Sequence, residues 1–208
     1  MKKNLVFLAI LFATNSFGSA EINLNSNTLG ALLDWQVHKK GYTNYYLGAR
    51  YVNNGKATRD KRTYDDKFGD GTLASVNFKM MNQYRYKQSG IQGFGVGMGV
   101  STEYVDFDEG SEDLIAVPLR LYANMQFNYR LSLDFDLAYA PKILTFQDGI
   151  NYKEFKAKFN IRVIDNGYLF AGFRYVKAGY DYEDDEGTDQ EYDVKLDDDI
   201  FGGFKIIF

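Results

Sequence analysis

Glu154-Phe155-Lys156-Ala157-Lys158-Phe159-Asn160-Ile161-Arg162-Val163 alternates without a break between a polar or charged side chain and an apolar one. Successive side chains of a strand point to opposite faces, so Phe155, Ala157, Phe159, Ile161 and Val163 share one face. Glu154, Lys156, Lys158, Asn160 and Arg162 share the other. Such a ribbon must bury one face in a protein core or turn it toward lipid, and which it does decides the fold.

The same period recurs on both sides of this stretch. Leu131, Leu133, Phe135, Leu137 and Tyr139 stand against Ser132, Asp134 and Asp136, and Leu169, Ala171, Phe173 and Tyr175 against Gly172 and Arg174. Further out, Ile115 to Phe127 opposes Pro118, Arg120, Tyr122, Asn124 and Gln126, and Phe94 to Val100 opposes a glycine row, Gly93 to Gly99. Thr72–Tyr86 carries Ser75, Asn77, Lys79 and Arg85 on its polar side, Thr43–Val52 carries Arg50, and Thr28–His38 carries Asp34. The segments run about nine to fifteen residues, where strands of soluble domains are mostly five or six. A barrel strand tilted through a bilayer needs about 9 to 11. Tyrosines on the uncharged face lie mostly toward strand ends, where an interfacial aromatic belt would sit.

The connections also sort by length. His38–Gly41, Lys87–Gly90, Asn128–Arg130 and Asp165-Asn166-Gly167 are short. Between them fall longer polar stretches at Asn53–Gly71, Asp106–Asp113, Ile143–Ile150 and Asp181–Asp199. Short turns on the periplasmic side and long loops outside are expected of an outer-membrane barrel. Nine long strands are legible. An even count requires a short extra strand at Ile22–Asn25 that closes against Ile200–Phe208. Ten strands are therefore expected, with eight or nine also compatible.

The chain opens with Lys2 and Lys3, an apolar run from Leu5 to Ala13 and the small residues Gly18-Ser19-Ala20. That is the pattern of a cleaved signal peptide over residues 1–20, leaving 21–208 as the barrel. Its apolar run is far short of the about 20 residues a membrane helix needs. No cysteine is present, so disulfides play no part. The formal net charge of −4 argues against a nucleic-acid partner. At the other end Phe204, Ile206 and Phe208 form an alternating segment with a final aromatic. It resembles the recognition signal of the barrel assembly machinery.

The charged face supplies the lumen-lining candidates Arg50, Lys79, Arg120, Asp134, Asp136, Lys156, Lys158, Arg162 and Arg174. Two readings stand side by side. One is an internal ion-pair network filling a narrow bore; the other is a narrow pathway favouring anions, with room left by the glycine row. The acidic stretch 181–199 has a carboxylate density that could hold divalent cations. The calcium-loop spacing fails, however, because Gly187 falls one place late, and a solvated loop fits better. His38 is the sole histidine and sits at a short turn; no phosphate loop, nucleophile elbow or zinc spacing occurs. No catalytic residue, metal site or cofactor is expected, and the chain reads as a non-enzyme.

Tyr139-Ala140-Pro141-Lys142-Ile143-Leu144-Thr145-Phe146, with Tyr152, Glu154 and Asp165-Asn166-Gly167-Tyr168-Leu169-Phe170-Ala171-Gly172-Phe173-Arg174-Tyr175-Val176, resembles the YfaZ family of outer-membrane proteins. Ile22-Asn23-Leu24-Asn25 and Phe201-Gly202-Gly203-Phe204 look like it too, whereas Phe173 replaces the family's usual tyrosine. The resemblance implies an outer-membrane, porin-like β-barrel and carries no biochemical activity with it. The expected protein is an up-and-down antiparallel transmembrane β-barrel of Gram-negative type. Its role would be structural or at the cell surface, with outer-membrane lipid and lipopolysaccharide as partners, or else a narrow channel for small anionic solutes.

Overall fold

A computed structural model describes residues 18–25, 28–54, 58–60, 71–85, 91–107, 113–147, 149–183 and 189–208. The expected signal segment up to residue 17 lies outside them, as do residues 61–70, 86–90, 108–112 and 184–188 within the connections. The strands in chain order are β1 (Gly18–Leu24), β2 (Thr28–Lys40), β3 (Thr43–Asn54), β4 (Thr58–Asp60), β5 (Gly71–Arg85), β6 (Gly93–Phe107) and β7 (Leu114–Ala116). They continue as β8 (Leu119–Gln126), β9 (Leu131–Ala140), β10 (Thr145–Gln147), β11 (Gly149–Ile164), β12 (Gly167–Glu183) and β13 (Asp189–Ile207).

These segments close into a ten-strand antiparallel barrel. β7 and β8 both pair with β6 and share one wall position, interrupted at Val117-Pro118, where proline has no N–H to give the ladder. β9 and its short continuation β10 share the next. Closure falls on the short first strand, as the parity of the sequence requires. β1 pairs with β2 on one side and with β13 on the other, from Ser19↔Ile207 to Leu24↔Gly202. Gly18–Ala20, the small residues of the expected cleavage site, belong to this strand.

The uncharged face points outward. Val76, Met98, Leu119, Leu121, Leu137, Leu169 and Ile200 are exposed, and Phe159 is 39% exposed, while Arg50, Glu103, Arg120, Glu154, Lys158 and Arg174 are buried inside. A water-soluble barrel would have the reverse arrangement. Phe204 and Ile206 follow Ile200 on the outward parity of β13, and the Phe208 N–H donates to the Gly18 carbonyl at 2.9 Å. At the β2–β3 turn Gly41 adopts a φ of 60°, a left-handed conformation with no side chain to strain.

Three connections differ from the sequence reading. Over its described residues the acidic stretch Asp181–Asp199 is strand and not a solvated loop. β12 and β13 extend into it as hairpin arms, paired from Gly179↔Asp193 to Glu183↔Asp189. The high charge hid an inward apolar alternation of Tyr180, Val194 and Leu196, all buried. β4, from the mixed-charge connection Asn53–Gly71, pairs with the same arm over Asp193–Lys195, so this connection and the acidic one meet through their backbones. The stretch Ile143–Ile150 likewise contains the end of a 3-10 turn (Lys142–Leu144) and β10, and it packs Leu144 onto the interior.

Candidate functional site

Register sets the interior out in layers. At the long-loop end Val52, Leu73, Val105 and Leu114 align across β3, β5, β6 and β7. Ala140, Tyr152, Ala178 and Val194 align across β9, β11, β12 and β13. All eight are buried, and with Ala116, Ala138, Val176, Tyr180 and Leu196 they form one apolar cluster inside the barrel. The hydrophobic core is therefore a plug, held inside a ring whose outer surface is also apolar.

One row toward the short turns, the inner face becomes ionic. Arg50, Ser75 and Glu103 are register neighbours on β3, β5 and β6. Two arginines and two glutamates close a square there. Glu103 accepts from Arg50 at 2.8 Å and from Arg120 at 2.7 Å; Glu154 accepts from Arg50 at 3.0 Å and from Arg120 at 2.5 Å. Arg120 also donates to Asp136 at 2.8 Å and to Ser101 at 2.8 Å, and the Tyr152 hydroxyl donates to Glu154 at 3.0 Å. Both glutamates have fully buried side chains. Desolvating four charges is costly, and only this mutual pairing with extra hydrogen bonds offsets it.

Beyond the square lies a cavity of about 340 Å3, lined by Glu21, Asp34, Tyr46, Lys79, Tyr122, Asp134, Lys156, Lys158 and Lys205 among others. Lys79 pairs with Asp34 at 3.2 Å and lies over the rings of Tyr46 and Tyr122. Lys158 pairs with Glu21 and stands 3.9 Å from Asp134. Lys156 reaches Asp136 only at 3.7 Å, on the oxygen Arg120 already holds. The cavity continues into a hollow of about 200 Å3 at the short-turn end, lined by Asn128, Tyr129, Arg130 and Tyr168.

The sequence candidates thus fall into three places. Arg50 and Arg120 belong to the square. Lys79, Asp134, Asp136, Lys156 and Lys158 line the cavity. Arg174 stands apart, paired with Asp197, donating to Thr28 at 3.2 Å and lying over the Phe201 ring. Arg162 lies at the short-turn rim, where it donates to the Asp165 carbonyl at 2.9 Å, and lines neither hollow. The room expected beside the glycine row is taken: a β-carbon at Gly99 would come within 3.1 Å of Tyr122 Cε2, and one at Gly97 within 3.1 Å of Met81 Cγ.

Glu103, Glu154 and Lys205 follow the inward parity of Ser101, Lys156 and Gly203, so alternation already places them on the charged face, and in the structure their role is as large as that of the lumen-lining candidates. Glu21 is the residue that the sequence reading misses. Glu21 sits on a strand too short to carry a periodic signal. Among the described residues no group of three or more His, Asp or Glu is placed to hold a metal. In the acidic stretch Asp193 pairs with Lys177 at 2.8 Å, and residues 184–188, with Gly187, lie outside the described residues.

No protein-family model and no curated protein matches this sequence. Among solved structures, outer-membrane expressed OmpT of Vibrio cholerae aligns with 8% identity and a TM-score of 0.39, over 87% of this chain and 56% of that one. The trimer form of in-vitro folded OmpT gives 7% identity and a TM-score of 0.38 over 87% and 56%. A mutant of the Rh. blastica porin gives 8% identity and a TM-score of 0.22 over 93% and 98%. The chain spans just over half the length of the OmpT structures it matches.

Proposed function

We propose that this chain is an outer-membrane β-barrel of the YfaZ type whose interior is closed toward the cell exterior, with a structural or surface-interaction role. One observation carries the reading: an uncharged outer face around a buried ionic interior. Hydrocarbon tolerates that outer face, and closure into a ring leaves no unpaired edge in the lipid. In this reading the short turns face the periplasm and the long connections face outward, toward lipopolysaccharide and, at the acidic hairpin, divalent cations. Phe204, Ile206 and Phe208 engage the assembly machinery. Removal of residues 1–20 leaves Glu21–Leu24 of β1 paired with Gly202–Lys205.

A channel for small anions is less well supported. Leu114, Ala116, Tyr152 and Tyr180 are fully buried across the bore, and the cationic face that would select anions is matched by carboxylates. The test pairs fractionation with planar-bilayer recording. The protein should sediment with outer membranes, migrate heat-modifiably on gels and give no ion steps across a range of salts. Recovery in the periplasmic supernatant would contradict the membrane reading, and stepwise conductance would contradict the closed interior.

A further inference from the structure

Lys205 and Asp134 both line the cavity and the hollow at the short-turn end, so they flank the passage between the two. No ion pair within 4 Å joins them among the described residues. Lys205 makes no hydrogen bond or ion pair among the described residues. Asp134 accepts from the amides of Asn124 and Asn160, its nearest cation is Lys158 at 3.9 Å, and its side chain is 31% exposed. Every other lysine or arginine of the cavity has an acidic partner within 4 Å. One cation, Lys205, is thus left without an acidic partner at this passage, beside a carboxylate that two amides and the more distant Lys158 hold but that keeps part of its surface exposed.

The charge balance narrows what fits between them. Arg50, Lys79, Arg120, Lys156 and Lys158 are matched in the square and the cavity by Glu103, Asp34, Glu154, Asp136 and Glu21. A bound anion alone would add a net charge to a poorly hydrated space, and a bound cation alone would do the same. A solute carrying both signs adds none. The rest of the shared lining is Asn124, Gln83 and Ile207; Gln83 offers an amide to a polar ligand, and about 340 Å3 accommodates one of amino-acid size.

We propose that Lys205 and Asp134 form a binding site for a small zwitterion, with the ligand carboxylate on Lys205 and its ammonium group on Asp134. Charge-assisted hydrogen bonds at both ends fix the ligand's direction across the passage. In the orientation given above, the site opens to the periplasm and ends blindly at the Arg–Glu square.

The test uses the full barrel folded in detergent micelles, so its outcome is independent of the membrane assignment. Glycine, acetate and methylammonium are titrated in turn, and binding is read from the ε-carbon resonances of 13C-labelled lysines. Glycine should shift the Lys205 resonance saturably, with an affinity about tenfold or more above either single-charge probe. Lys205→Gln, read from the Lys158 resonance instead, should remove the preference for glycine over methylammonium, and Asp134→Asn the preference for glycine over acetate. If one variant fails to fold, the other and the wild-type comparison still decide. Acetate binding as tightly as glycine would mean a plain anion site, and the absence of a saturable glycine shift would mean no site; either result overturns the proposal.

Discussion

Arg50 donates to Glu154 at 3.0 Å from the opposite wall of the barrel: β3 and β11 lie five places apart in a ring of ten. Ladder hydrogen bonds tie only neighbouring strands and leave the cross-section free to flatten. The Arg50–Glu154 contact spans the bore, and Arg120 and Glu103 join it to β8 and β6. In a space this poorly solvated such contacts are strong, and an unpaired member is costly.

Removing one member should therefore cost far more than removing a rim pair. Glu154→Gln leaves two buried guanidinium groups short of a carboxylate and should lower stability by about 3–5 kcal/mol. Arg162→Ala, which loses a partly exposed contact with Asp165, should cost less than about 1 kcal/mol. Urea unfolding in micelles, followed by heat-modifiable migration, measures both. Equal losses would mean that the square contributes no more than surface charge.

The plug behaves as a protein core although it sits inside a membrane-type barrel. Leu114 is fully buried, so Leu114→Ala should cost about 2–5 kcal/mol through the cavity it leaves. The same unfolding assay reads it. A loss below about 0.5 kcal/mol would indicate that the long-loop end is loosely packed.

Gly41 offers a cleaner backbone test. Its φ of 60° has open space around it, so any cost of a side chain there is conformational. Gly41→Ala should destabilise by about 1 kcal/mol, and Gly41→Asn by less, because asparagine tolerates the left-handed region better. Equilibrium unfolding of the two variants side by side checks the order.

The outward face should be sensitive to charge according to depth. Leu121 is 60% exposed at mid-strand of β8, and Leu121→Arg should disfavour folding into bilayers by about 2–4 kcal/mol. Folding in liposomes across a urea series reads the difference. The same change at Tyr129, in the β8–β9 turn, should be nearly neutral.

Alternation makes the long strands and the two faces of each legible, and the even count that a barrel requires supplies the short closing strand around Ile22. What alternation cannot give is azimuth. Arg50 and Glu154 are 104 positions apart, and only the closed ring makes them face each other. The plug is visible in the same alternation. At the long-loop end the inward series changes from ionic to apolar, Arg50 to Val52, Glu103 to Val105, Asp136 to Ala138 and Arg174 to Val176. The acidic hairpin was hidden for the opposite reason: charges at Asp193 and Asp197 masked Val194 and Leu196 between them, while Lys177 and Arg174 stood on the partner strand to neutralise them.

The orientation of the uncharged face is the claim on which the rest depends, and the absence of native cysteine makes it directly measurable. Single cysteines at Val76, Leu121 and Phe159, each carrying a nitroxide, would be examined in lipid bilayers for collision with oxygen and with a water-soluble nickel chelate. High oxygen and low nickel accessibility at all three sites is the result expected of side chains in hydrocarbon. Nickel accessibility matching that of a label at Tyr42, in the exposed β2–β3 turn, would contradict it.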